Sequence, residues 1–336
     1  MNAQSSKRRW WQFRLRTLLI AVLVLSLPLG WLSWRLKQAA DQRRAVGAFR
    51  DAGGLVGYDY GPQYERDLPN SPALGGPGPA PEPPWPEWLR DRVGDDFFFG
   101  IKEVNFPIMF VNPPSAFPTV TDELLVDLKD LRGPRELQIH SNRVTDEGLR
   151  ILPELPTLRQ LALYTPNVTD AGLSHVSQLW MLEFLALDSP HVTNEGLGHL
   201  SQLRKLQHLN LVAPNVTDAG LRHLSQLRML ESLTLDTPDV TDAGLGNLSE
   251  LRLLRYLNLG TPNVTDAGLV YLEPLKQLKR LSLRGTKVTD AGVAKLRQSL
   301  PDTQIFYKFD ASGRPVEQGG PSRRPSPRSN RPTPRP

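Results

Sequence analysis

The tripeptide Val-Thr-Asp, once Val-Thr-Asn, begins at Val120, Val144, Val168, Val192, Val216, Val240, Val264 and Val288, and every interval is 24 residues. Eight starts in unbroken register constrain the fold more than anything else in the chain. They require a stack of like repeats, each touching its neighbours, with a core drawn out as a line. Counted from its Val as zero, each repeat places apolar residues at offsets 5, 8, 11, 14, 17 and 19; from Val168 these are Leu173, Val176, Leu179, Leu182, Leu185 and Leu187. The closing Leu-x-Leu has period two, so both side chains point to one side of a short strand. The first three, spaced by three, suit the buried face of a short helix. Thr169 stands where an N-cap accepts from backbone N–H groups, and Asp170 where the helix dipole favours an anion. A Gly follows in seven of the eight repeats, from Gly148 to Gly292, with Leu124 in its place in the first. Gly inside a helix costs roughly 1 kcal/mol relative to Ala, so its recurrence predicts tight packing against the neighbouring turn.

Both this pattern and its period resemble the leucine-rich-repeat family over residues 100 to 310, and the Thr-Asp-x-Gly-Leu start resembles the subclass called cysteine-containing, here with no cysteine. The resemblance implies an α/β fold: a leucine-rich-repeat solenoid of 24-residue strand–helix units bent into a horseshoe. The family places Asn or Cys three residues after the last strand Leu. Here that place holds Asn142, Pro166, Pro190, Pro214, Pro238, Pro262 and Thr286. Pro has no N–H and a fixed φ, so the inner turn must be satisfied differently. Asn167, Asn215, Asp239 and Asn263 are the candidates for doing so.

Outside the repeats, residues 1–16 form a basic segment and 17–34 carry no charge. As a helix, that uncharged stretch spans about 27 Å, close to a hydrocarbon core of about 30 Å. Trp10, Trp11, Trp31 and Trp34 lie at its two ends, as interfacial belts do. Bulky residues stand where a signal peptide needs small ones for cleavage, which favours an uncleaved transmembrane helix, with the lipid bilayer as partner of residues 17–34. Gln12 to Leu19 resembles the N-terminal anchor of planctomycete membrane proteins, which implies a bacterial membrane. Five positive charges precede the span and five follow it. The first five are packed closer and are joined by the terminal amine, which favours a cytoplasmic N-terminus and periplasmic repeats.

The rest of the chain divides into a juxtamembrane helix and short strand at 35–60, a Pro/Gly-rich linker at 61–86 spacing the repeats from the membrane, and an N-terminal cap at 87–119. Trp85, Trp88, Leu89, Phe97, Phe98 and Phe99 are expected to build that cap. It includes a first strand at Val104–Phe106 and a loop insertion, Ile108 to Phe117, that is a second candidate binding surface. Repeats run over 120–310, the last closing with Ile305, Phe306, Tyr307 and Phe309, and a basic Pro/Arg/Ser tail covers 311–336. The tail should be disordered. It can touch anionic polymers by charge, but lacks the aromatics that specific nucleic-acid binding would use for stacking.

Little in the chain points to catalysis, cofactor or metal. There is no nucleophile elbow, P-loop, Rossmann glycine set or metalloprotease motif. His175, His199 and His223 recur at offset seven. Successive helices pack about 8–10 Å apart, whereas zinc ligands sit about 2 Å from the metal, so repeat ancestry explains that column. Asn167, Asn215 and Asn263 each open an Asn-Val-Thr sequon and are read as turn residues. Asp170, Asp218, Asp242, Asp266 and Asp290 are read as helix-start residues, not catalytic acids.

The working surface is expected on the outward side of the strands, at offsets 16, 18 and 20. Gln160, Tyr164, Phe184, Asp188, His208, Asn210, Asp236, Tyr256, Asn258, Arg280 and Arg284 form the candidate protein-binding concave face. Aromatics flanked by acids suit a protein or peptide ligand. Two other readings remain: a structural envelope spacer with no protein ligand, and a substrate adaptor of the F-box kind, which needs an F-box helical module where residues 35 to 100 offer a Pro-rich linker.

Overall fold

The computed structural model describes residues 4–58, 86–106 and 120–309; along the N-terminal helix, the side chains at 4–17, 19, 21 and 23–25 are not described. Most of the Pro/Gly-rich segment, Trp85, the Ile108–Phe117 insertion and the 311–336 tail lie outside the described residues. The chain forms two compact units, residues 1–189 and 190–336.

In the N-terminal unit the strands lie side by side in chain order: β1 (Leu55–Tyr58), β2 (Ile101–Phe106), β3 (Glu136–His140), β4 (Gln160–Tyr164) and β5 (Phe184–Asp188). β1 is antiparallel to β2, and every later pairing is parallel. Leu137 faces Leu161 and Leu161 faces Leu185, one repeat apart. Val104 pairs with Leu137, 33 residues on, so this connection exceeds a standard repeat by nine. The C-terminal unit holds β6 (His208–Val212), β7 (Ser232–Asp236), β8 (Tyr256–Leu259), β9 (Arg280–Ser282) and β10 (Gln304–Phe306), parallel throughout, with Leu209, Leu233, Leu257, Leu281 and Ile305 in one row.

Every apolar position of the repeat from Val168 is buried. Each such Leu contributes roughly 1.5–3 kcal/mol by leaving water. The helices are shorter than the apolar spacing suggests. Asp170–Val176 ends before Leu179, which sits in the turn leading back to the strand. In the repeat from Val144 a 3-10 helix, Gly148–Glu154, replaces the α-helix and contains Pro153.

The conserved-looking start of each repeat is an inter-repeat joint. Asp122 accepts from Thr145 N (2.8 Å) and Thr145 Oγ1 (2.6 Å), and Asp146 does the same for Thr169 at 2.8 and 2.6 Å. Asp218 holds Thr241 and Asp242 holds Thr265 with the same pair of distances, and Asp266 holds Thr289 at 2.7 and 2.6 Å. The Thr hydroxyl then accepts from its own helix, as Thr169 does from Ala171 N at 3.2 Å. The aspartate expected to act on its own helix dipole therefore also anchors the next repeat. Asn194 reverses one bond: its Nδ2 donates to Thr217 Oγ1, and there the side-chain cap is absent.

The joint also explains the recurrent Gly. A Cβ at Gly148, Gly172, Gly220, Gly244, Gly268 or Gly292 would stand 2.1 to 2.5 Å from the Asp or Asn oxygen of the preceding repeat. The Pro-containing turns are satisfied in part as expected: Asn167, Asn215 and Asn263 donate from Nδ2 to the carbonyls of Asn142, Pro190 and Pro238. Asp290 has no following Val-Thr-Asp repeat to hold. Its carboxylate accepts instead from Tyr307 Oη and Lys308 Nζ, both at 2.8 Å, and Lys308 first, then Tyr307, keeps it below the ordinary carboxylate range.

The N-terminal cap departs from expectation. One helix, α1 (Gln4–Asp51), runs through both the uncharged stretch and the segment after it. Ala39, Gln42, Ala45, Val46 and Phe49 are buried, on a spacing of three to four, and Phe49 meets Phe106 edge-on at 5.7 Å. Gln42 donates to Asp96 Oδ1 (3.2 Å) and to the Phe99 carbonyl (3.1 Å), and accepts from Arg132 Nε (2.9 Å). Tyr58 Oη donates to Asp96 Oδ1 at 2.7 Å; burial, then the Asp96 charge, pushes that phenol well above its ordinary value. Trp88, expected in the cap cluster, is 66% exposed on α2 (Glu87–Val93), while Phe99 is buried. The expected spacer segment 61–86 lies, but for Pro86, outside the described residues. α1 and β1 before it and α3 (Asp95–Phe98) after it are tied together through Asp96.

Among the described residues no helix is long and apolar enough to cross a membrane, so the expected transmembrane helix finds no support there. The described apolar side chains of α1 from Leu18 to Leu36, including Ile20, Leu27, Leu29, Trp31 and Trp34, are exposed.

Candidate functional site

Strand alternation turns one set of side chains inward and the other outward. On the N-terminal unit the outward set builds a cleft of about 240 Å³ lined by Asn105, Glu136, Gln138, Gln160, Tyr164 and Phe184, floored by Leu137, Leu161 and Ala162. Ala162 leaves the space that its taller neighbours enclose. His140 stacks on Tyr164 with ring centroids 4.0 Å apart and planes 7° from parallel, and its Nε2 lies 2.6 Å from Gln138 Nε2. Burial lowers the His140 pKa, with Asp188 pulling the other way. Glu103 and Glu136 are direct neighbours on β2 and β3; burial first, then the Glu136 charge, raises the Glu103 pKa.

On the C-terminal unit a second cleft, also about 240 Å³, is lined by Ser232, Thr234, Tyr256, Asn258, Arg280 and Ser282, with Leu233 and Leu257 beneath. His208, Ser232, Tyr256 and Arg280 form one outward row, and Asn210, Thr234, Asn258 and Ser282 the next. The Arg280 guanidinium lies 5.4 Å from the centre of the Phe306 ring, and that of Arg284 lies 5.9 Å from the centre of the Phe309 ring.

The eleven candidate residues thus divide between the two units. Gln160, Tyr164 and Phe184 line the first cleft, and Asp188 pairs with Tyr164 across the strands at its margin. Tyr256, Asn258 and Arg280 line the second. His208 and Asn210 on β6, Asp236 at the end of β7, and Arg284 beyond β9 do not line it. Sequence reasoning missed Asn105, whose strand precedes the first Val-Thr-Asp and stands out of register by nine residues. It also passed over Ser232, Thr234 and Ser282, which lie in the same columns but are small; the absence of bulk beside Tyr256 and Arg280 was the available signal.

On the helix side, Asn194, Glu195, Gly198, His199, Arg222 and His223 surround an open depression of about 490 Å³. Burial and then Arg222 lower the His223 pKa. Among the described residues no group of three His, Cys, Asp or Glu side chains is placed to hold a metal ion.

Parallel strands one 24-residue step apart, Leu-x-Leu facing in and a short helix opposite, decide the architecture. Each unit has the strand–helix solenoid fold of a leucine-rich-repeat array. No family model matches the chain, and no curated protein matches it. Among solved structures, an internalin C2 from Listeria monocytogenes is similar at 21% identity, covering 61% of this chain and 80% of that one, with a TM-score of 0.46. A second internalin of that organism, inlF, is similar at 18% identity over 55% of this chain and 57% of its own, with a TM-score of 0.41. The chain thus spans just over half of the second protein's length.

Proposed function

We propose that the protein is a membrane-anchored recognition or scaffolding protein whose strand faces bind segments of other proteins. The observation that carries this reading is an open cleft on the outward strand face of each unit, one walled by Tyr164, Phe184 and three amides, the other by Tyr256, Asn258 and three hydroxyls. Exposed Tyr and neutral hydrogen-bonding groups around a shallow depression suit a peptide segment better than a small molecule that must be enclosed. The structural-spacer reading has less to stand on, because the elements on either side of the Pro/Gly-rich segment are tied together through Asp96. The F-box kind of adaptor needs a helical module where α1, β1, α2 and α3 make that cap.

The deciding experiment is capture of partners from envelope extract by the detergent-solubilised full chain, beside a Phe184→Ala, His208→Ala, Tyr256→Ala variant. A protein retained by the first and lost by the second supports recognition through the strand face. Equal capture by both sinks it.

The anchor is the uncharged stretch of α1. Its support is eighteen residues without a charge, with Trp at both ends and the described apolar side chains from Leu18 to Trp34 exposed. Val22→Arg with Leu27→Arg should release the chain from the membrane fraction on carbonate extraction; retention of that variant contradicts a bilayer span. The closer packing of the five charges before the span, with the terminal amine, favours a cytoplasmic N-terminus and periplasmic repeats. External protease should therefore digest the repeats in intact spheroplasts, and protection there would reverse the orientation.

A further inference from the structure

We infer that the second cleft receives a carboxylate of an acidic peptide segment, with Arg280 as its anchor. This rests on the recognition reading above and names the chemistry of the partner at one of its two clefts.

Three observations on the C-terminal unit converge. The first is an unmatched charge. Arg159, Arg255 and Lys102 beside other strands pair with Glu183, Glu231 and Glu136, whereas Lys279 and Arg135, like Arg280, enter no ion pair among the described residues. Among the described residues neither Arg280 nor Arg284 enters an ion pair. The second is orientation. Phe306 of the C-terminal cap lies under the Arg280 guanidinium and limits its freedom, and a pre-positioned planar fork binds a carboxylate in two parallel hydrogen bonds. The third is the lining. Ser232, Thr234, Tyr256 and Ser282 offer hydroxyls and Asn258 an amide, and no acidic residue lines the cleft. Neutral donors around one guanidinium complement an oxyanion. A cation would meet the guanidinium unopposed.

The cleft lies across three strands, β7 to β9. Adjacent strands are about 4.8 Å apart, so it offers length for a peptide and not only for a single ion. Tyr256, 49% exposed, adds a flat apolar surface beside the charge. A phosphorylated side chain presents the same oxyanion chemistry, so the test separates the two sources.

The probe is a fluorescein-labelled hexaglutamate peptide, titrated with the detergent-solubilised full chain at physiological ionic strength and read by anisotropy. Hexalysine and a phosphoserine peptide of equal length form the other arms. Arg280→Gln should weaken hexaglutamate binding by about tenfold or more, the scale of a lost charged hydrogen-bond pair. Arg228→Gln removes an equal charge away from the cleft and should change it by less than about twofold, the scale of an exposed charge. Ser282→Ala keeps the Phe306 contact and should weaken binding about threefold, which preserves the test if Arg280→Gln folds poorly. Arg280→Glu should exchange preference from hexaglutamate to hexalysine. Equal losses for Arg280→Gln and Arg228→Gln, or undiminished binding by Ser282→Ala together with either Arg280 variant, would overturn the assignment. Preference for the phosphoserine peptide over hexaglutamate would overturn the carboxylate in favour of phosphate. Envelope capture that depends on the strand face but not on Arg280 would leave recognition standing and remove only this cleft's chemistry; loss of strand-face capture altogether removes both.

Discussion

A methyl group at Gly244 would stand 2.2 Å from Asp218 Oδ1, while one at Gly246 would meet nothing closer than the Tyr271 ring at 3.5 Å. The two glycines are separated by one residue and answer oppositely to the same change. Gly244→Ala should cost about 1–3 kcal/mol because the ladder carboxylate must move. Gly246→Ala should add about 0.5–1 kcal/mol by removing unfolded-state freedom at a helical position. Paired urea titrations check the signs. Asp218→Ala should cost about 2–4 kcal/mol, since Thr241 loses two partners at once, whereas Asp218→Asn keeps two bonds in the manner of Asn194 and should cost far less. His140 gives a pH signature. Burial lowers its pKa, so the fold favours the neutral ring. Its stabilising contribution is full above the unfolded value of about 6.5 and is lost as pH falls from there through the folded value. Stability measured from pH 7 to 5 should fall more steeply for the wild type than for His140→Gln. At this scale the sequence was half legible. Thr as cap and Gly as a close approach could be read from their recurrence. The identity of the atom approached could not, because Asp218 and Thr241 are 23 residues apart and meet only once the repeats stack.

α1 joins two stretches of different kind. Its charge-free part reads as a bilayer span, and the residues after it read only as a continuation. Yet Ala39, Gln42, Ala45, Val46 and Phe49 repeat every three to four positions, the sign of a helix face packed on protein. Gln42 is the element's hinge to the rest. Removing its amide strips partners from Asp96, the Phe99 carbonyl and Arg132 together. Gln42→Ala should therefore open the cap, and limited trypsin treatment should cut after Arg43 and Arg44 far faster than in the wild type. The aromatic cluster misled because Trp and Phe close together in sequence suggest a core, whereas α2 turns Trp88 to solvent. The outward columns of the strands were legible by period two, but the offset strand β2 hid Asn105, and the small residues Ser232, Thr234 and Ser282 were passed over within their columns.

For the molecule as a whole, the position of the Pro/Gly-rich segment decides what a cut can do. A single cleavage between Tyr58 and Pro86 should leave the two fragments together in gel filtration and separate them only in denaturant, since Asp96 holds both sides of the cut. Elution of α1 apart from the repeats under native conditions would contradict the cap described here. The 24-residue period made the architecture plain, but neither the cap nor the different linings of the two clefts follow from periodicity, because both depend on what differs between repeats. The Asp–Thr joint has one more consequence. Within each unit a repeat such as that from Val144 or Val240 carries both halves of a plug and socket, its Thr received by the repeat before and its Asp offered to the repeat after. A gene segment copied out in one whole period therefore arrives already compatible with its neighbours on both sides, whereas any other length leaves a mismatched seam. A chain built this way can lengthen by duplication without inventing a new interface.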